Sequence, residues 1–153
     1  MGDLRRNEIF AHFIRMQFSP KKFPSVLVVA DGKGELAQYL SKWYRRVRVI
    51  ENQPRQIFLR KKVTYTKGYF TSLTPVEESF IVAMHPDEAT SEVVKSGKYN
   101  SLRWAIVPCC VKGTDTHGIH NYRDWLIKLA KLAHMQTKTT QLPFNGKNTV
   151  LWV

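Results

Sequence analysis

The chain of 153 residues is 43% hydrophobic and carries a formal net charge of +12, from 24 basic and 12 acidic side chains. This length suffices for one hydrophobic core, so we expect a single domain over residues 1–153 rather than two. No apolar run is long enough to cross a bilayer, and the first ten residues lack the apolar centre of a signal peptide, so we expect a cytoplasmic protein that binds no membrane.

The first half of the chain predicts two helices and three strands. Apolar side chains recur at helical spacing before residue 17, and Asp3 is placed to cap that helix. Two prolines then end the helical pattern, and apolar runs alternate with a turn and a second helical pattern. The predicted helices cover 3–17 and 35–43, and the predicted strands cover 25–29, 47–51 and 63–65.

The second half continues this alternation. Asp87 is placed to cap a helix that Gly97 is placed to end. Asn121 begins the clearest amphipathic helix, and the Asn145-Gly146 pair predicts a hairpin between two terminal strands. The predicted strands cover 79–85 and 102–108, the predicted helices cover 87–97 and 121–134, and the hairpin lies within 139–153.

Most of the predicted strands are apolar along their whole length. Such strands are buried on both faces, which is typical of a mainly parallel sheet with helices on each side. The terminal hairpin adds an antiparallel edge. The sequence therefore predicts an α/β, Rossmann-like fold with a seven-stranded sheet, whose ligands bind beyond the carboxyl ends of the strands where the strand order reverses.

The stretch VLVVADGKGELAQYL, residues 26–40, places two glycines between an apolar strand and a helix. Glycine lets a ligand approach the backbone closely, and the start of a helix offers free N–H groups to that ligand. Glu51 ends the next strand about twenty residues later, where an acid accepts hydrogen bonds from ribose hydroxyls in dinucleotide folds. Together these features favour a nucleoside site; the glycines alone also fit an ordinary turn.

Further stretches extend this pattern along the chain: VRVIEN, KGYF, IVAMHPDEAT, WAIVPCCV and LPFNGKNTVLWV. Over about residues 24–153 the chain resembles the class I S-adenosylmethionine-dependent methyltransferases. HPDEAT followed by VPCCV is similar to a sparsely characterised branch of that family, and related patterns occur in some tRNA-modifying methyltransferases. The resemblance implies S-adenosylmethionine as cofactor, bound by Ala30, Asp31, Gly32, Gly34, Glu51, Asn52 and Met84.

The first motif departs from the family pattern Asp-x-Gly-x-Gly-x-Gly at two positions. Val28 stands where the family has an acid and Ala30 where it has a glycine, whereas Gly32 and Gly34 match. Loss of the acid affects recognition of the methionine amino group. A degenerate, non-catalytic relative of the family is therefore an alternative.

The resemblance implies that residues 84–87, MHPD, face the methyl donor. His85 is the candidate base because imidazole titrates near neutral pH, and Asp87 is the candidate that orients His85 or the substrate. In the alternative interpretation, Asp87 only caps the following helix and His85 only packs against the turn.

Two adjacent cysteines, Cys109 and Cys110, follow the fifth predicted strand. One interpretation is a thiolate nucleophile, and the other is a pair of small buried apolar side chains. With His117 and His120 they make a possible set of four zinc ligands, but the spacing matches no familiar zinc motif and adjacent cysteines fit one tetrahedron poorly. We therefore predict no metal site.

Basic side chains concentrate in the first part of the chain. Residues 1–70 hold 15 basic and five acidic side chains, against nine and seven in 71–153, and the densest runs lie at 45–48 and 55–62. Such a field attracts polyanions, so we expect a nucleic-acid partner, with RNA preferred; a solvated basic surface is the alternative.

The expected function is thus methyl transfer to RNA or another nucleic acid, with a partner protein as a source of further specificity. One alternative is a non-catalytic nucleic-acid-binding or assembly module with a degenerate methyltransferase fold. A small-molecule methyltransferase is a further alternative, which the net charge of +12 disfavours.

Overall fold

The computed structural model describes residues 2–53 and 62–153. The strands in these residues are β1 Ser25–Val29, β2 Arg46–Glu51, β3 Val63–Lys67, β4 Phe80–Met84, β5 Arg103–Val107, β6 Lys138–Gln141 and β7 Thr149–Trp152. The helices are α1 Arg6–Gln17, α2 Glu35–Leu40, α3 Thr90–Asn100 and α4 Tyr122–Leu132, with a short 3₁₀ helix over Asp87–Ala89.

The strands join into one seven-stranded sheet in the order β3-β2-β1-β4-β5-β7-β6. The first five strands run parallel to one another, whereas β7 is antiparallel to both β5 and β6. The strand order reverses between β1 and β4, which are hydrogen-bonded neighbours. The predicted Rossmann-like sheet with its terminal antiparallel hairpin is therefore confirmed.

The side chains of β1 alternate between two hydrophobic cores, one on each face of the sheet. Val26 and Val28 pack in the core that includes α1 and α2. Leu27 and Val29 pack in the core that includes α3 and α4. Helices on both faces thus explain the continuous apolar strand, since complete burial of one such side chain contributes roughly 1.5–3 kcal/mol.

The start of the first helix differs from its prediction. Helix α1 begins at Arg6 rather than at residue 3, and its cap position is Arg5, which makes no side-chain capping bond. The carboxylate of Asp3 instead accepts hydrogen bonds from the N–H and the guanidinium of Arg5, both at 2.9 Å. Asp3 therefore pairs with its neighbour before the helix and does not cap α1.

The ends of α3 also differ from the prediction. The helix begins at Thr90, whose hydroxyl donates to the backbone carbonyl of Asp87 at 2.8 Å, so the Asp87 side chain is not its cap. Gly97 lies inside the helix, which ends at Asn100 and is followed by Ser101 in a left-handed conformation. A Cβ at Gly97 would lie 2.3 Å from the ring of Trp104, so glycine is needed there for close packing rather than for termination.

The predicted cap of α4 is confirmed, because the Asn121 side chain accepts a hydrogen bond from the N–H of Asp124 at 2.9 Å. The terminal hairpin has a longer loop than a two-residue Asn-Gly turn. Its loop spans residues 142–148 and is closed by a hydrogen bond from the Leu142 N–H to the Asn148 carbonyl at 2.9 Å.

Within residues 2–53 and 62–153, no helix combines the length and the hydropathy needed to span a membrane.

Candidate functional site

A cleft of about 610 Å³ lies at the carboxyl ends of β1, β2 and β4, next to the point where the strand order reverses. Gly34 is buried at the start of α2 and is not among the described residues that line this cleft. The other candidate residues all line it: Ala30, Asp31, Gly32, Glu51, Asn52, Met84, His85 and Asp87. The fold therefore brings the proposed cofactor site and the proposed catalytic residues to one cleft.

The turn after β1 has left-handed backbone at Ala30, Gly32 and Gly34, with φ of 59°, 60° and 82°. This conformation costs a non-glycine residue roughly 1–2 kcal/mol, so Ala30 is strained. Ala30 also occupies the position where the resembled family has glycine, and the turn keeps a glycine-type conformation without the glycine. Apart from Gly32 and its two chain neighbours, no described residue has an atom within 4 Å of where a Cβ on Gly32 would be, so this part of the turn is open to a ligand.

Asp31 folds back onto the start of α2. Its carboxylate accepts hydrogen bonds from the N–H groups of Leu36 at 3.1 Å and Ala37 at 2.8 Å. Burial raises the pKa of Asp31 to about 7, although the two N–H donors act in the opposite direction. The helix N–H groups that the sequence predicts to be free for a ligand are thus partly occupied by the protein itself.

Glu51 fixes the turn from the neighbouring strand. Its side chain is 7% exposed, and its two oxygens accept hydrogen bonds from the N–H of Gly32 at 2.7 Å and of Gln53 at 3.0 Å. The hydroxyl of Tyr65, on β3, donates to the Gly32 carbonyl at 3.0 Å. Each carboxylate oxygen keeps a further lone pair, so Glu51 can accept two ligand hydroxyls while it keeps its hydrogen bonds to Gly32 and Gln53.

His85 has both ring nitrogens in contact with the protein. Nε2 lies 2.9 Å from the Lys147 carbonyl and must donate to it, whereas Nδ1 lies 3.3 Å from a guanidinium nitrogen of Arg6. Since guanidinium can only donate, Nδ1 carries the lone pair and the ring is neutral. Burial lowers the pKa of His85, and the charge of Arg6 lowers it further. The basic nitrogen therefore faces Arg6, which lines the cleft.

Asp87 lies beside the two cysteines rather than against the ring of His85. Its Oδ1 is 3.1 Å from the Sγ of Cys109 and 3.5 Å from that of Cys110. Burial raises the pKa of the Cys109 thiol to about 12, with further increases from Asp87 and Cys110. Cys109 is therefore protonated at neutral pH, which disfavours the thiolate-nucleophile interpretation.

Several residues of the cleft were not predicted from the sequence. Arg6 comes from α1 and lies beside His85 only because α1 packs against the sheet, a contact that no local pattern signals. Tyr69, which is 79% exposed, and Phe70 come from the KGYF stretch after β3. That stretch was one of the motifs of the resemblance, so the signal was present although no role was assigned to it.

The described lining of the cleft is acidic although the whole chain is basic. Of the residues that the structure describes, two basic ones line it, Arg6 and Lys33. Five acidic side chains line it as well: Asp31, Glu35, Glu51, Asp87 and Glu88. Such a surface favours a cationic or neutral ligand over a polyanion.

A second concave surface of about 510 Å³ lies at the amino ends of β2 and β3, and we call it the basic groove. Arg45, Arg46 and Lys62 line it with exposed side chains, whereas Arg48 pairs with the nearly buried Glu78 at 2.5 Å. Residues 55–61 of the predicted basic run lie outside the described residues. Strand β2 separates the groove from the cleft by about 17 Å, given roughly 3.3 Å per residue.

No protein-family model matches the sequence, and no curated protein matches it either. Solved structures do match. The ribosomal protein L11 methylase of Lactobacillus delbrueckii subsp. bulgaricus is 12% identical with a TM-score of 0.67, and the match covers 99% of this chain and 79% of that one. The methyltransferase domain of bacterial CtHen1-CN is 11% identical with a TM-score of 0.65, over 95% of this chain and 97% of that one.

Human N-acetylserotonin methyltransferase in complex with S-adenosylmethionine is 11% identical with a TM-score of 0.58. That match covers 95% of this chain but 52% of the human one. The chain therefore has the fold of the Rossmann-like methyltransferases. At these identities the similarity establishes the fold alone. A chemical function has to be argued from the residues of the cleft.

Proposed function

We propose that the protein is an S-adenosylmethionine-dependent methyltransferase that binds its cofactor in the cleft. The observation that carries this proposal is the carboxylate of Glu51, which is almost buried at the end of β2 and hydrogen-bonded to the turn at Gly32. In Rossmann-like folds an acid at this place accepts the ribose hydroxyls of a nucleoside. The human structure with the same fold contains S-adenosylmethionine, which supports this choice of nucleoside.

The charge of the cleft supports the same cofactor. S-adenosylmethionine carries a positive sulfonium, and among the described residues that line the cleft acidic side chains outnumber basic ones by five to two. Asp31 lies in the turn, and Glu51 is hydrogen-bonded to it. Ala30, Gly32, Asn52 and Met84 complete the proposed cofactor site, and Gly34 contributes by letting the turn enter α2 in a left-handed conformation.

His85 is the proposed general base. When bound, S-adenosylmethionine supplies an electrophilic methyl group, and an acceptor that must lose a proton needs a base near it. The ring of His85 is neutral, Nε2–H is held by the Lys147 carbonyl, and Nδ1 has the lone pair that takes a proton. Arg6 faces that nitrogen, so we propose that an acceptor displaces the Arg6 side chain when it binds.

RNA is the proposed acceptor. The net charge of +12 and the exposed cations of the basic groove support a polyanionic partner. Because the groove lies about 17 Å from the acidic cleft, an RNA that touches both must extend along the sheet. Its phosphates contact the groove and a single uncharged base enters the cleft. We propose a partner protein as the source of any further sequence specificity.

The test is transfer of a labelled methyl group from S-adenosylmethionine to RNA from cells that lack the gene. Wild-type protein should label RNA, and His85→Ala should lower the rate by roughly a hundredfold to ten-thousandfold with little change in cofactor affinity, since a base acts mainly in the transition state. His117→Ala, which changes an exposed histidine that is not among the described residues lining the cleft, is the matched control and should keep the wild-type rate. A wild-type protein that binds the cofactor but labels no RNA would contradict the proposal and favour a binding module.

A further inference from the structure

The two cysteines after β5 converge on one point. Adjacent residues of an extended strand point to opposite faces, so an adjacent pair is a poor candidate for binding one ligand. Here β5 ends at Val107, and Cys109 and Cys110 lie beyond it in irregular backbone. Their Sγ atoms are 3.3 Å apart. Both sulfur atoms can therefore bind the same ligand.

A carboxylate completes the cluster from the neighbouring strand. β4 and β5 are parallel and in register up to Met84 and Val107, so the segments after them begin side by side. Asp87 follows β4, and its Oδ1 lies 3.1 Å from one sulfur and 3.5 Å from the other. Three ligand atoms from two segments thus lie within 4.8 Å of one another.

We propose that Asp87, Cys109 and Cys110 form a zinc site with an open fourth position. Zinc binds sulfur at about 2.3 Å and carboxylate oxygen at about 2.0–2.2 Å in a tetrahedron, which separates the ligand atoms by roughly 3.6–3.8 Å. The observed separations of 3.1–3.5 Å are a few tenths of an ångström shorter, a difference that small side-chain rotations remove. Two sulfurs favour zinc over magnesium or calcium.

The open position follows from where the cluster lies. Both cysteines are partly exposed, and Asp87 is exposed and lines the cleft. Three protein ligands with a free fourth position are typical of zinc sites that bind a substrate or water rather than of structural sites. The fourth ligand therefore comes from the cleft. Binding of the ion releases the two thiol protons to solvent, which keeps the charge and the atoms in balance.

The histidines expected from the sequence lie elsewhere. His117 and His120 are exposed and do not belong to the group of metal-type ligands found in the described residues. The inference also differs from the proposed function, since a zinc ion can be bound in the absence of S-adenosylmethionine. The zinc site and the proposed function can therefore be disproved independently of each other.

The experiment is titration of the reduced, metal-free full chain with Zn²⁺, followed by calorimetry, and with Cd²⁺, followed by the ultraviolet thiolate charge-transfer band. Both titrations omit S-adenosylmethionine. We expect one ion per chain and a cadmium band in the wild type. The double variant Cys109→Ser, Cys110→Ser should lose the band and at least a hundredfold in affinity, and Asp87→Asn should lose roughly tenfold.

The matched control is His117→Ala, His120→Ala, which should bind as the wild type does. Circular dichroism of the metal-free variants checks that each is folded. Absence of a stoichiometric complex in the wild type at micromolar Zn²⁺ would overturn the inference even if a variant fails to fold. So would binding that depends on the two histidines instead of the cysteines.

Discussion

The two ends of the sheet carry opposite charge. At the carboxyl ends of the strands, the described residues that line the cleft include five acidic side chains and two basic ones. At the amino ends, about 17 Å away, Arg45, Arg46 and Lys62 line the basic groove. The net charge of +12 is a property of the whole chain and does not describe the residues that line the cleft. Whole-chain charge predicts a partner, whereas the chemistry of a site has to be taken from the residues at the strand ends.

Charge reversal at the amino end tests this contrast with the largest expected effect. Arg45→Glu, Arg46→Glu and Lys62→Glu together should weaken RNA binding by about 10- to 100-fold at low salt and should reduce its salt dependence, because fewer counterions are released. Filter binding at several salt concentrations measures both quantities. Lys98→Glu, Arg123→Glu and Lys131→Glu change the charge equally on exposed positions of α3 and α4. Equal losses in the two triple variants would show that the groove has no special role.

Asp31, at the carboxyl end of the sheet, makes the free energy of unfolding depend on pH. Since burial raises its pKa to about 7 in the folded protein, the folded state holds a proton that the unfolded chain releases near pH 4. Its contribution to stability is therefore present at low pH and lost as pH rises towards 7. Between pH 5 and 7.5 the free energy of unfolding should fall more in the wild type than in Asp31→Asn, on the order of 1–3 kcal/mol, by urea denaturation. Parallel pH profiles would contradict this role for Asp31.

Ala30 gives the smallest expected effect. Its left-handed backbone is strained, so Ala30→Gly should raise the free energy of unfolding by about 0.5–1 kcal/mol. Ala130→Gly is the control in the regular helix α4 and should lower it by about 1 kcal/mol. If both variants are destabilised alike in thermal and urea unfolding, the turn at Ala30 is not strained.

The sequence predicted the buried strands and helices, but not the contacts between side chains that are distant in sequence. The bounds predicted for β1 agree with Ser25–Val29, because a strand buried on both faces leaves a continuous apolar run. Gly97 was interpreted as a helix end because its neighbour Trp104 is not visible in a linear pattern. Local patterns cannot show which side chain a later strand places against an earlier helix.

In the candidate site as well, some contacts could be predicted from the sequence and others could not. Glu51 and Gly32 were predicted together from their spacing, and the structure joins them by a hydrogen bond of 2.7 Å. The contacts of Arg6 with His85 and of Asp87 with the cysteines depend on segments distant in sequence. The contact of Asp87 with the cysteines becomes predictable once β4 and β5 are known to be neighbours. Residues that follow neighbouring parallel strands meet at one edge of the sheet.

Calorimetric titration with S-adenosylhomocysteine, the demethylated product, tests the central proposal most directly. Wild-type protein should bind one molecule per chain, and Glu51→Ala should weaken binding by about 1–3 kcal/mol, because the ribose hydroxyls lose a buried acceptor. Glu78→Ala, which removes a similarly buried carboxylate from the basic groove at the other end of the sheet, is the control and should bind as the wild type does. Absence of binding by the wild type at millimolar ligand, or equal losses in the two variants, would contradict a cofactor site at Glu51.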